Sequence, residues 1–283
     1  MYQKRNADMI FSECWGFGYS KNDQPFGVSL DINAQNRRLL LLEKFHGIKI
    51  GVIKYQNIET LMNIIQKTLQ FSPIILPCDV FKCPWNISYQ RHHIDHYILA
   101  IGIDENTRHI YILDPYSTEE INIINITNVI PASGCIYFFE TLPLISLKLE
   151  EYQKELEYSL HHIVNSNFFS NIKNFQIEFT DRFEEIIYSQ YTDIYAIPLI
   201  FNLNRIANQR HCYCVFLNRM LEKGLIDSSL LNQMEVIAEK YSLFRLLLIK
   251  QIMKKSRNSY CNEILNDIIE NEYVAYKRLN SFL

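Results

Sequence analysis

Residues 73–116 read PIILPCDVFKCPWNISYQRHHIDHYILAIGIDENTRHIYILDPY, and this stretch decides the fold. An apolar run over 74–78 ends at Asp79, and a loop follows that carries Trp85, Tyr89, His92 and His93. A second run, HYILAIGI, begins at His96, and a third, HIYILD, ends at Asp114 just before Pro115. Both are dense in β-branched and aromatic side chains, which suit a pleated, half-buried surface. The DENT segment between them supplies the Asp and Asn that a hairpin turn favours. If His96 opens one strand and Asp114 closes its antiparallel neighbour, the two side chains lie at the same end of the pair. A carboxylate beside a histidine fixes the ring's tautomer and stabilises the imidazolium, an arrangement that recurs in general bases. The same positions also suit a buried histidine satisfied by backbone and an aspartate that makes the turn before Pro115. Position alone leaves both readings open.

Outward from this stretch the pattern continues. IKIGVIKY (48–55) predicts a strand, and Ile58, Leu61, Met62, Ile65 and Leu69 predict a helix with one buried stripe. Residues 31–46 predict a helix capped by Asp31 and stopped by Gly47. Gly16, Gly18, Pro25 and Gly27 interrupt residues 1–30. Trp15, Phe17, Tyr19 and Phe26 nevertheless bring more aromatic area than a solvated loop needs, so this segment is expected to pack over the core or line a cleft. Downstream, EINIINI and CIYFFE predict further strands. From Leu147 onward only Pro198 and Gly224 interrupt the helical periodicity. Helices are expected at about 147–166, 170–190, 194–223, 228–255 and 259–280, with Gly224 and Asp227-Ser228-Ser229 as stop and restart. The reading is an α+β domain with a mainly antiparallel sheet over 1–145, followed by an all-helical bundle over 146–283.

Nearly half of the 283 residues are apolar, which allows a substantial core. A net charge of -3 offers no basic footprint, so nucleic acid is not an expected partner. No apolar run is long enough to span a bilayer and MYQKRNAD is not a signal peptide, so no membrane partner is expected and the cytoplasm is the expected compartment. Seven cysteines, an odd number at irregular spacing, read as reduced thiols.

Asp79, the aromatic-rich loop after it, His96-Tyr97, Gly102-x-Asp104 and Asp114-Pro115 resemble the butirosin-biosynthesis-protein-H family, as does the upstream MIFSECWGFGY at 9–19. The resemblance covers most of residues 8–140, and a helical tail like 146–283 is usual in that family. It implies a papain-like, C39-peptidase-like domain in which a strand-initial histidine and a strand-terminal aspartate serve a cysteine at the start of a helix. Such a cysteine gains acidity from the helix N-terminus and the imidazole. By resemblance His96 would act as base and then acid, Asp114 would orient it, and Asp79 would belong to the cleft wall. The implied activity is acyl transfer in the biosynthesis of a specialised metabolite, such as a peptide or aminoglycoside-like antibiotic. The acyl group would pass from a thioester on an acyl or peptidyl carrier protein, through a cysteine, to a small amine acceptor. A thioester is already activated, so no cofactor is implied. A C39-like cysteine peptidase would use the same residues, and a non-catalytic binding module would keep the cleft alone.

The chain departs from that family at the nucleophile. In relatives the cysteine precedes the segment that matches MIFSECWGFGY, and the residues before Met9 hold no match for its helix. Cys14 is the nearest cysteine, but Trp15-Gly16-Phe17-Gly18 is a poor helix start and no Gln precedes it at the usual distance. Cys14 therefore reads as either the catalytic thiol or a packed one. Trp85, Tyr89 and Tyr97 are expected to line a substrate groove, although aromatic residues beside a sheet also serve as core. Cys78, Cys83, His92, His93 and His96 crowd one region, but Cys78-x4-Cys83 lacks the second ligand pair of a structural zinc site, so no metal is expected. His211-Cys212-Tyr213-Cys214 point in different directions on a helix and read as packing.

Overall fold

Alternation along the strands accounts for the sheet. The computed structural model describes residues 7–32, 37–104, 107, 109–144, 146–188, 191, 193–256 and 259–282. Six strands, β1 (Ile48–Tyr55), β2 (Ile74–Asp79), β3 (Asp95–Asp104), β4 (His109–Asp114), β5 (Thr118–Asn125) and β6 (Gly134–Thr141), form one sheet in the order β1-β6-β2-β3-β4-β5. Every pairing is antiparallel. Ile74, Leu76 and Cys78 of β2, Ile98 and Ala100 of β3, and Ile110 and Ile112 of β4 are all buried, as a period of two on one face requires. The register shifts between Ala100 and Gly102, which leaves Ile101 as the extra residue of a bulge. The bulge resets the alternation, so that Ile103 also packs on this core. Helix α2 (Ile58–Thr68) adds Leu61 and Ile65 to the core, and Asn57 caps it by accepting from Thr60 N at 2.8 Å. Burying each of these two side chains is worth roughly 1.5–3 kcal/mol. A single turn, α3 (Ile126–Val129), follows β5 and is capped by Asn125.

The chain divides into two units, one of Gly47–Leu144 and one of Met1–His46 together with Ile145–Leu283. The sequence reading divides it once, near 145, and assigns residues 1–46 to the sheet. The structure assigns them to the helices instead. The helical unit contains α1 (Arg38–His46), α4 (Leu149–Asn165), α5 (Phe168–Asp181), α6 (Phe183–Ile187), α7 (Pro198–Glu222), α8 (Ser228–Lys254) and α9 (Tyr260–Asn280). Trp15, Phe17, Tyr19 and Phe26 are buried in its core. Ser12 Oγ donates to Glu155 at 2.6 Å, Tyr19 Oη to Glu178 at 2.6 Å, and Trp15 Nε1 to Glu272. Arg210, fully buried, pairs with Glu272 at 2.9 Å and donates to the Cys14 and Gly16 carbonyls, each at 3.1 Å. Gly16 admits no side chain, because a Cβ there would lie 1.6 Å from the Ile32 carbonyl oxygen.

Several helix bounds differ from expectation for local reasons. α1 begins at Arg38, because Asp31 pairs with Gly18 in an isolated antiparallel bridge; residues 33–36 lie outside the described residues. The helix expected over 170–190 breaks at Arg182 into α5 and α6. α7 starts at Pro198 rather than 194, since proline lacks the N–H that a helix interior needs and suits a first turn. Its end follows the sequence signal. Gly224 takes φ +71, Leu225 N donates to Met220 O at 3.0 Å, and Asp227 caps α8 through Ser229 N and Leu230 N.

Candidate functional site

His96 sits at the start of β3, directly opposite Cys78 in the β2–β3 register, and shares the core-facing side with Ile98 and Ala100. Asp114 ends β4 on that same side, two residues beyond buried Ile112. The face that is apolar further along the sheet thus carries an imidazole and a carboxylate at its rim. His96 Nε2 lies 3.0 Å from Asp114 Oδ1, and the Asp114 side chain is fully buried while His96 keeps 16% of its side-chain surface exposed. Trp85 Nε1 donates to the other carboxylate oxygen at 2.8 Å. Burial works against the Asp114 anion, but hydrogen bonds from Trp85, His96 and Ser117 outweigh it and hold the carboxyl below its usual range. An ionised Asp114 accepts from Nε2–H, which leaves Nδ1 of the neutral ring as the acceptor. That is the protonation pattern of a general base.

The loop between β2 and β3 is shaped from both ends. Asp79 Oδ1 accepts from Phe81 N at 3.0 Å and Ile94 N at 3.3 Å, closing the loop at its base. Its Oδ2 meets His93 Nδ1 at 2.6 Å, and that bond holds the Asp79 carboxyl below its usual range. The His93 ring stacks on Phe81 at 4.2 Å between centroids. At the other end Asn86 Nδ2 donates to Ser117 Oγ at 2.6 Å, and Ser117 N donates to the Asp114 carbonyl at 2.9 Å. Trp85 is thereby set between the loop and the end of β4.

Trp85 also forms part of a groove of about 630 Å³, within the range of small-molecule sites. Tyr89 and Lys82 line it from the loop, and Asn122, Asn125 and Asn128 line it from β5 and α3. Of Trp85, Tyr89 and Tyr97, which the sequence reading brings to a substrate groove, Trp85 and Tyr89 line this one and Tyr97 is not among its lining residues. Asp79 is not among its lining residues and instead holds the loop and His93. The three asparagines are absent from the sequence reading. Their polar positions within EINIINITN, otherwise an apolar run, are the signal that points to them.

Cys14 belongs to the other unit and is completely buried. Burial pushes its thiol up to about 12, with Arg38 opposing. Its Sγ accepts from Arg38 Nη2 at 3.7 Å. These are the surroundings of a packed thiol, and thiolate chemistry is closed to it in this state. Cys78 and Cys83 bring their Sγ atoms to 3.8 Å, and their contact together with burial pushes the Cys78 thiol up. Among the described residues no group of three or more His, Cys, Asp or Glu side chains is placed to hold a metal ion. Tyr213 and Cys214 are core residues of α7, with Tyr213 Oη 2.9 Å from Ser159 Oγ. Among the described residues no helix is long and apolar enough to cross a membrane.

Comparison with protein-family models and with curated proteins found no match for this chain.

Proposed function

We propose that the protein is an acyltransferase of specialised-metabolite biosynthesis, akin to the butirosin-biosynthesis-protein-H family, with its site in a papain-like, C39-peptidase-like sheet domain. The donor is an acyl thioester on a carrier protein and the acceptor is a small amine. What carries the reading is the His96–Asp114 pair, 3.0 Å apart, completed by Trp85 at 2.8 Å. His96 Nδ1 takes the proton of the attacking amine as its nitrogen bonds to the thioester carbonyl carbon. The C–S bond then breaks, and the imidazolium returns the proton to the departing thiolate. Asp114 stabilises the imidazolium between these steps, and Trp85 fixes the carboxylate. A buried Cys14 with its thiol near 12 speaks against a covalent relay through that residue and for direct transfer to the amine.

The same dyad suits a cysteine peptidase or, without turnover, a binding module of the same fold. Incubation of the full chain with an acyl-carrier thioester and an amine separates the three. Amide formation that depends on the carrier and falls in His96→Ala supports the transferase. Cleavage of a peptide without any carrier supports the peptidase. Full turnover in His96→Ala removes the dyad from the chemistry, and thioester that stays intact with wild type favours the binding module.

A further inference from the structure

Two thiols stand beside the dyad, and the proposed reaction uses neither. Cys78, near the end of β2, is buried on the face that carries His96, its direct partner in the β2–β3 register. Cys83 follows a short 3-10 turn (Val80–Lys82) and is completely buried. Their Sγ atoms lie 3.8 Å apart, and Cys83 Sγ is also 3.4 Å from the Asp79 carbonyl oxygen. The turn brings the two together. Cys83 N donates to the Val80 carbonyl at 2.9 Å, and Asp79 Oδ1 accepts from Phe81 N at 3.0 Å. The Asp114 charge acts on both thiols. Contact with Cys78 lowers the Cys83 thiol, so Cys83 ionises first while Cys78 keeps its proton.

The chain ties Cys83 to the dyad. Two residues on, Trp85 Nε1 donates to Asp114 at 2.8 Å, and Asn86 N donates to the Cys83 carbonyl at 3.0 Å. An S–S bond is about 2.05 Å long, so joining these sulfurs draws them roughly 1.8 Å closer. Cys78 is held in the sheet by its ladder with β3, so the loop that carries Cys83 gives way. Pro84 and Trp85, the next residues of that loop, line the groove.

We infer that Cys78 and Cys83 form a reversible disulfide with oxidants of the hydroperoxide class, and that closing it shifts Trp85 from its place on Asp114. The Cys83 thiolate attacks one oxygen of hydrogen peroxide, the O–O bond breaks, and the departing hydroxide takes the proton that Cys83 lost. Cys78 Sγ then bonds to the Cys83 sulfenic sulfur, the S–O bond breaks, and the Cys78 proton leaves with that hydroxide as a second water. Two thiols are oxidised and one peroxide is reduced to two waters. The oxidant is little larger than water and reaches the pair by local opening of the loop. A small thiol restores both cysteines by exchange. With Trp85 displaced, the buried Asp114 carboxylate loses a donor. The inference goes beyond the acyl-transfer reading and stands without it, because the bond and its effect on Trp85 are both read without turnover.

The test treats the full chain with hydrogen peroxide, blocks the remaining thiols with N-ethylmaleimide in denaturant, and maps tryptic peptides by mass spectrometry. Cleavage after Lys82 separates the two cysteines, so a linked pair of peptides reports the bond. In parallel, NMR follows the Trp85 indole N–H, assigned against Trp15 with Trp85→Phe. The linked peptides, the loss of two of the seven thiols and a shifted Trp85 signal are expected, all reversed by dithiothreitol. Cys83→Ser keeps a donor beside the Asp79 carbonyl and should abolish both the link and the shift, as should Cys78→Ala. Oxidation of the partly exposed Cys135 or Cys212 with Cys78 and Cys83 left as thiols overturns the inference. So does a linked pair that leaves the Trp85 signal in place, or the same Trp85 shift in Cys83→Ser.

Discussion

Two carboxylates in this molecule each take a tryptophan N–H and a nitrogen base, and they do opposite things. Glu272, in the helical unit, holds Arg210 at 2.9 Å and the Trp15 indole, and Arg210 and Glu272 are both completely buried. Asp114, in the sheet unit, holds His96 at 3.0 Å and the Trp85 indole, and there the base keeps part of its side-chain surface in solvent. Arg210 cannot give up its proton, and its remaining bonds go to the backbone at Cys14 and Gly16, so that cluster fixes a loop to a helix bundle. His96 has a second ring nitrogen that its bond to the carboxylate leaves unused. The comparison teaches that two buried carboxylates with like partners differ in whether the base they hold reaches solvent, and the proposed chemistry needs the cluster whose base does.

The sharpest way to break this contrast is on the buried side. Glu272→Ala leaves Arg210 charged, buried and without its counter-ion, and should destabilise the protein by about 3–5 kcal/mol, read as a fall in the chemical-denaturation midpoint. His96→Ala takes one donor from the buried Asp114 carboxylate and should lower the stability by about 1–3 kcal/mol, less than Glu272→Ala, while the proposed amide formation falls by roughly 10²–10⁴-fold. A variant that unfolds as readily as Glu272→Ala would make His96 structural as well. Trp85→Phe removes one donor from a buried carboxylate and should cost about 1–3 kcal/mol, with turnover falling alongside. The smallest effect concerns acid. Because the folded Asp114 carboxyl is held below its unfolded value, its stabilisation is complete above pH of about 4 and is lost as pH falls through the folded value. Denaturation curves between about pH 2 and 5 should therefore be flatter in Asp114→Asn than in wild type.

How much of this the sequence carries depends on the range of the interactions involved. The six strands are legible because each is a local run, and the shared face of His96 and Asp114 follows from counting by twos along β3 and β4. The Ile101 bulge lies beyond the site and leaves that count intact from His96 to Ala100. The Trp85 bond is not legible, since it spans 29 residues and depends on how Asp79 and Asn86 fold the loop. Residues 7–32 advertise their burial through aromatic content but not which core receives them. Their partners Glu155 and Glu272 lie 143 and 257 positions away, and no local pattern encodes such distances. The same gap explains why Cys14, attractive by its place beside a family-like segment, turns out to be closed off by Arg38 and the helices.

The central claim is that Asp114 holds His96 with its Nε2 protonated and its Nδ1 ready to accept. Nitrogen-15 NMR of labelled histidine in the full chain reads this directly. The account predicts that neutral His96 is the Nε2–H tautomer, and that Asp114→Asn redistributes the proton between the two nitrogens. A His96 ring protonated on Nδ1 when neutral, or one indifferent to Asp114→Asn, would contradict it.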